Sequence, residues 1–99
     1  MDRYFASGNW QVIKGKEQEF VERWTEFLGW TREANPGLVS ARLVRGTDHP
    51  SHFVSISEWT DDASRAAWKE SEDFKMRLGA CRALCENFES GDYDGAVEI

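Results

Sequence analysis

The sequence predicts an α+β fold of order β-α-β-β-α-β, the ferredoxin-like arrangement of an antiparallel sheet with helices on one face. Three observations predict it. Stretches that alternate with a period of two, Tyr4 to Ile13, Leu38 to Arg45 and Ser51 to Trp59, are separated by stretches with a helical period. The second and third of these strands are joined by the polar loop Gly46-Thr47-Asp48-His49-Pro50, too short for a crossover, so they form an antiparallel hairpin. A length of 99 residues suits a single domain.

In the first strand, alternation puts Phe5, Ser7, Asn9, Gln11 and Ile13 on one face and Tyr4, Ala6, Trp10 and Val12 on the other. Neither face is clearly wet, so both are expected to be covered, and Asn9 is expected to face the helices. Gly8 in mid-strand points to a bulge or a close approach. Lys14-Gly15-Lys16 turns the chain. From about Lys16 to Ala34, Phe20, Val21, Trp24, Phe27, Leu28 and Thr31 form one apolar stripe, with Glu17 and Glu19 at the positive end of the helix. Asn35-Pro36-Gly37 stops it.

The third strand has Val54 and Ile56 on one face and Phe53, Ser55, Ser57 and Trp59 on the other, and Trp59 is assigned to dimer packing. Thr60 is the expected N-cap of the next helix, with Asp61 and Asp62 behind it. Ser71-Glu72-Asp73 resembles a second cap, so a helix of about eight residues is expected to break and restart. Phe74, Leu78, Cys81 and Cys85 then repeat at helical spacing. Gly91-Asp92-Tyr93-Asp94-Gly95 is turn-like, and Ala96 to Ile99 reads as a short last strand.

Composition narrows the partners. The net charge of −6 and pI of about 4.8 repel phosphate backbones and anionic lipid surfaces, so neither nucleic acid nor membrane is expected. No apolar run is long enough to span a bilayer, and MDRYFASGNW lacks the apolar core of a signal peptide, so the expected location is the cytoplasm. Cys81 and Cys85 read as reduced, buried thiols on one helix face. No glycine-rich phosphate cradle and no HExxH pattern occurs, so no cofactor and no metal are expected. Five Trp, six Phe and two Tyr are a heavy load for a small interior, and some are expected to cover a pocket or a subunit interface. The sheet face away from the helices is not polar, so a sheet-to-sheet homodimer is expected.

The stretches GNWQVIKGKEQEFVERW, NPGLVSARLVR and HFVSISEWTDDASRAAWKESEDF resemble the antibiotic biosynthesis monooxygenase superfamily of dimeric α+β-barrel proteins. The resemblance runs from about Asn9 to Phe74. Its most telling pieces are Gly-Lys before helix one, Pro-Gly before strand two, and Trp59-x8-Trp68 followed by Ser71-x2-Phe74. It makes residues 1–99 one domain of this kind. It implies a small aromatic substrate and O2, no prosthetic group, and a homodimer. Members of the family oxidise anthrones or quinols, and others degrade haem. In the haem-degrading branch an Asn, a Trp and an axial His act together; Asn9 and Trp68 match the first two, whereas Leu78 stands at the His position, which demotes haem. In the anthrone-oxidising branch Trp68 matches a pocket Trp, and Phe74 stands near a position expected to be Tyr-like. The resemblance therefore implies Asn9 and Trp68 as catalytic residues, with Trp24, Phe27, Phe74 and Leu78 around the substrate. His52 reads as a solvated strand-end histidine, and Arg42 and Arg45 as edge charges. The expected function is cofactor-independent oxygenation of a planar aromatic or quinol-like molecule. The alternative is a non-catalytic ligand-binding dimer of the same fold.

Overall fold

The computed structural model describes residues 3–99. The chain runs β1 (Tyr4–Val12), α1 (Glu17–Ala34), β2 (Leu38–Arg45), β3 (His52–Trp59), α2 (Asp62–Glu70), α3 (Glu72–Arg82) and β4 (Cys85–Asp94). The strands form one antiparallel sheet of order β2-β3-β1-β4, and the helices cover one of its faces. The ferredoxin-like arrangement is present, with its second helix in two pieces. Among the described residues no helix is long and apolar enough to cross a membrane.

The break between α2 and α3 falls at Ser71, whose extended backbone ends one helix while its hydroxyl accepts from the Phe74 backbone N–H at 3.0 Å. The cap of α2 is Asp61 rather than Thr60: the Asp61 carboxylate accepts from the Ser64 N–H at 2.7 Å. That bond holds the Asp61 carboxyl below its ordinary pKa.

The last strand corrects the sequence reading. It occupies Cys85–Asp94, not Ala96 to Ile99, and pairs along the whole of β1, from Tyr4 opposite Asp94 to Val12 opposite Cys85. The turn propensity of the Gly91–Gly95 stretch is overridden by a continuous ladder on a central strand. Cys85 therefore opens β4 and does not share a helix face with Cys81.

Small residues on the helix-facing side of the sheet leave room for indoles. Ala6, Gly8, Ser55 and Ser57 are all buried there. Trp10 Nε1 donates to Ser55 Oγ at 3.0 Å, and Trp59 Nε1 donates to Ser57 Oγ at 2.9 Å. A Cβ at Gly8 would lie 2.7 Å from Trp10 Nε1, so this glycine marks a close approach; the register shift falls between Gln11 and Val12. Trp59, assigned from sequence to a dimer face, is 1% exposed and packs on Trp68 with ring centroids 4.7 Å apart. β3 alternates as its sequence predicts, but the buried set Phe53, Ser55, Ser57 and Trp59 faces the helices. Most of the aromatic load is consumed by the chain's own core.

Arg65 also enters this core. At 6% exposure, its Nη1 donates to the carbonyls of Phe5 (2.8 Å) and Tyr93 (3.1 Å), and its Nη2 to Asp62 Oδ1 (2.8 Å). It ties α2 to facing residues of β1 and β4.

Candidate functional site

A small pocket of about 130 Å³ lies between the sheet and the helices. Its sheet side is Ala6, Gly8, Trp10, Ser55, Ser57, Phe88 and Ser90. Its helix side is Trp24 and Phe27 from α1, Phe74 and Leu78 from α3, and Lys69 from α2. The volume is close to the ~150 Å³ that holds a benzene molecule in an apolar protein core.

Local sequence explains the walls. Trp24 and Phe27 fall on the α1 stripe, three residues apart, and meet edge to face at 5.6 Å. The Ser71 cap fixes the start of α3, which brings Phe74 to 5.7 Å from Phe27. Leu78 follows one turn later on the same face.

Four of the six sequence-derived site residues, Trp24, Phe27, Phe74 and Leu78, thus line one pocket. The other two do not. Trp68 stands behind the wall, stacked on Phe27 at 5.9 Å and against Phe74 at 4.6 Å. Its Nε1 donates to Thr31 Oγ1 at 3.1 Å, and that hydroxyl donates to the Phe27 carbonyl at 2.9 Å. The Trp68 N–H is therefore committed to the core.

Asn9 is exposed on the opposite face of the sheet, where its Oδ1 is hydrogen-bonded to His52 Nε2. The expectation that Asn9 faces the helices is corrected by the pairing itself. The apolar set Ala6, Trp10 and Val12 takes the covered face, and parity turns Asn9 outward. His52 is consequently not a merely solvated end group. Both line a separate shallow depression of about 830 Å³, with Lys14, Asp48, His49 and Glu89.

Among the described residues no carboxylate, imidazole or thiol lines the inner pocket, and the one ionisable side chain along it is Lys69, paired with Asp92. Among the described residues no cluster of His, Cys, Asp or Glu could hold a metal ion. Haem does not fit the inner pocket either. The axial-His position is Leu78 in the pocket wall, the pocket is far below the usual ~300–1,000 Å³ of cofactor sites, and His49 and His52 lie beyond the sheet.

One feature has no signal in the sequence. Of the four buried indoles, those of Trp10, Trp59 and Trp68 donate to hydroxyls. The Trp24 Nε1–H, in a residue only 6% exposed, has no acceptor among the described residues. Trp24 also borders an open groove of about 920 Å³ between α1 and β2, with Leu28, Leu43 and Phe53 along it and Arg32 and Arg45 beside them.

Among curated proteins none matches this chain. Several solved structures do. SnoaB from Streptomyces nogalater, described as a cofactor-independent oxygenase, shares 23% identity at a TM-score of 0.89, over 100% of this chain and 98% of that one. A conserved protein from Methanosarcina mazei Go1 shares 20% identity at a TM-score of 0.85, over 94% and 92%. A conserved protein of unknown function from Bacteroides thetaiotaomicron VPI-5482 shares 13% identity at a TM-score of 0.82, over 93% and 96%. At such identities the likeness is one of fold. The family model described as antibiotic biosynthesis monooxygenase matches residues 3–76, from the start of the sheet into α3, so this chain belongs to the antibiotic biosynthesis monooxygenase family.

Proposed function

We propose that this protein binds a planar, quinol-like aromatic molecule in the inner pocket and oxidises it with O2 without a prosthetic group. One observation carries the reading: Trp24, Phe27, Phe74 and Leu78 converge on a space of about 130 Å³, the size of a single ring. Family membership supplies the reaction class, and the cofactor-independent oxygenase described for SnoaB supports the absence of a prosthetic group.

The chemistry balances without one. A ring C–H carbon of the quinol takes one oxygen atom, the other leaves as water, and the substrate supplies the electrons by becoming a hydroxyquinone. The protein contributes orientation and a dry site. The same unit acts as one domain, as a homodimer, in the cytoplasm.

Oxygen consumption by purified protein, measured with a panel of quinols and anthrones, tests the reading. Uptake is expected with one-ring quinols and is expected to fall in Phe74→Ala. No uptake with any member sinks the enzyme reading. A second reading, binding without turnover, is favoured by the lack of a carboxylate or imidazole in the lining. It predicts a stoichiometric quinol complex that consumes no oxygen.

A further inference from the structure

We infer that the open groove between α1 and β2 is a second binding site, and that it takes an elongated apolar molecule with a carboxylate at each end. The inference is independent of the reading of the inner pocket. The groove holds about 920 Å³, within the ~300–1,000 Å³ of small-molecule sites. Val21, Trp24 and Leu28 of α1, Leu43 of β2 and Phe53 of β3 give it apolar walls. Its only ionisable side chains among the described residues are Arg32 and Arg45. Neither joins an ion pair among the described residues. The chain has 18 Asp and Glu residues and a net charge of −6, yet among the described residues no carboxylate lines this groove.

The two guanidiniums stand at opposite ends. The turn Asn35-Pro36-Gly37 sends β2 back along α1. Arg32 lies in the last turn of α1. Arg45 closes β2, 4.8 Å over the Phe53 ring, and that ring packs on Phe20 in the first turn of α1, with centroids 5.0 Å apart. From Val21 to Arg32 the helix rises about 16 Å. A second observation marks the same place. Gly29 lies in the interior of α1 on the groove wall, where glycine is unfavourable relative to alanine. A Cβ there would meet nothing within 4 Å, and its φ is not positive. Neither crowding nor backbone conformation calls for the glycine; the missing side chain keeps the wall open. The helix dipole would account for Arg32 alone, and an edge strand for Arg45 alone. Neither role accounts for the absence of acids between them or for the glycine. A ligand accounts for all three: its apolar body buries against the walls, and each carboxylate accepts from one guanidinium. A peptide strand laid on β2 is disfavoured, because the register shift between Leu38 and Ser40 interrupts this edge.

The test is calorimetric titration with dodecanedioate, with 1,12-dodecanediol (the same body without charge) and with butanedioate (the same charges without the body). Dodecanedioate is expected to form a stoichiometric complex, the diol to bind at least about tenfold more weakly, and butanedioate to give no signal. Arg32→Gln and Arg45→Gln should each weaken dodecanedioate about threefold to tenfold and leave the diol unchanged. Arg42→Gln removes the same charge from the far face of the sheet and should change neither. Gly29→Leu should abolish binding while the unfolding midpoint holds or rises, which separates a filled groove from a damaged fold. No dodecanedioate binding to the wild type, equal affinity for the diol, or an Arg45→Gln effect no larger than that of Arg42→Gln overturns the inference. So does undiminished binding in Gly29→Leu. An extended peptide of alternating Val and Glu that binds where dodecanedioate does not would also overturn it, and would assign the groove to a protein partner.

Discussion

At Gly8 a single methyl group has nowhere to go. Its Cβ would meet Trp10 Nε1 at 2.7 Å, Ser55 Oγ at 2.8 Å and Phe88 Cε1 at 3.0 Å. These atoms form the hydrogen-bonded floor of the pocket, so the indole must shift and its bond to Ser55 is strained. Gly8→Ala is expected to cost about 1–3 kcal/mol in urea unfolding, the usual penalty of overpacking. Hydroquinone binding should weaken with it. An unchanged urea midpoint would mean that the floor is looser than its distances indicate. The cysteines make a second residue-level prediction. Burial pushes the Cys81 thiol up to about 12 and the Cys85 thiol up to about 11. Both are therefore protonated at pH 8, and a thiol-specific disulfide reagent should label neither in the native protein within minutes, and both in urea. The sign for stability follows. The unfolded thiols lose protons near pH 9, the folded ones only above that, so stability from this source is complete below pH 9 and falls as pH rises toward 12.

At the scale of elements, Arg65 does what no short-range pattern announces. Its guanidinium leaves α2, reaches carbonyls on facing residues of β1 and β4, and returns one N–H to Asp62. Arg65→Ala strands buried carbonyls and is expected to cost about 3 kcal/mol, with faster amide exchange along β4. Arg65→Lys should recover only part, since one ammonium cannot reproduce the fork. A variant as stable as the wild type would show that the clamp is idle. The same residue marks what the sequence discloses. The stripe of α1 and the Ser71 cap are local signals, so α1, the α2–α3 break and the wall residues Trp24, Phe27, Phe74 and Leu78 were legible. Arg65, the covered face of β3 and the course of β4 depend on partners far along the chain. Gly91-Asp92-Tyr93-Asp94-Gly95 spells a turn until β1 is laid beside it. Asn9 failed as a pocket residue because alternation gives parity but not which parity is covered. That the Trp24 N–H meets no acceptor among the described residues was illegible in principle, since it depends on what stands across the core.

For the whole molecule, the open question is the sheet face turned away from the helices. Val44 lies opposite Val54, Ile56 is 40% exposed and Tyr93 58% exposed beside Phe5. Arg42, Glu58 and the Asn9–His52 pair interrupt this apolar band. A covered core already accounts for most aromatic residues, so the case for association rests on this band and not on aromatic excess. Two such faces can pack about 10 Å apart across a two-fold axis, each residue meeting its counterpart's neighbourhood. Sedimentation equilibrium is expected to give a dimer at micromolar concentration. Both protomers carry −6, so added salt should screen their repulsion and tighten the pair. Replacing Val54 and Ile56 together with Glu should give a folded monomer, with the helical circular dichroism unchanged. Asn9→Ala is the informative control. Asn9 lies on this face and not in the pocket, so it should alter the dimer constant and leave hydroquinone affinity alone. A wild-type monomer at micromolar concentration would refute the sheet-face dimer, and a loss of ligand affinity in Asn9→Ala would show that the two faces of the sheet are coupled.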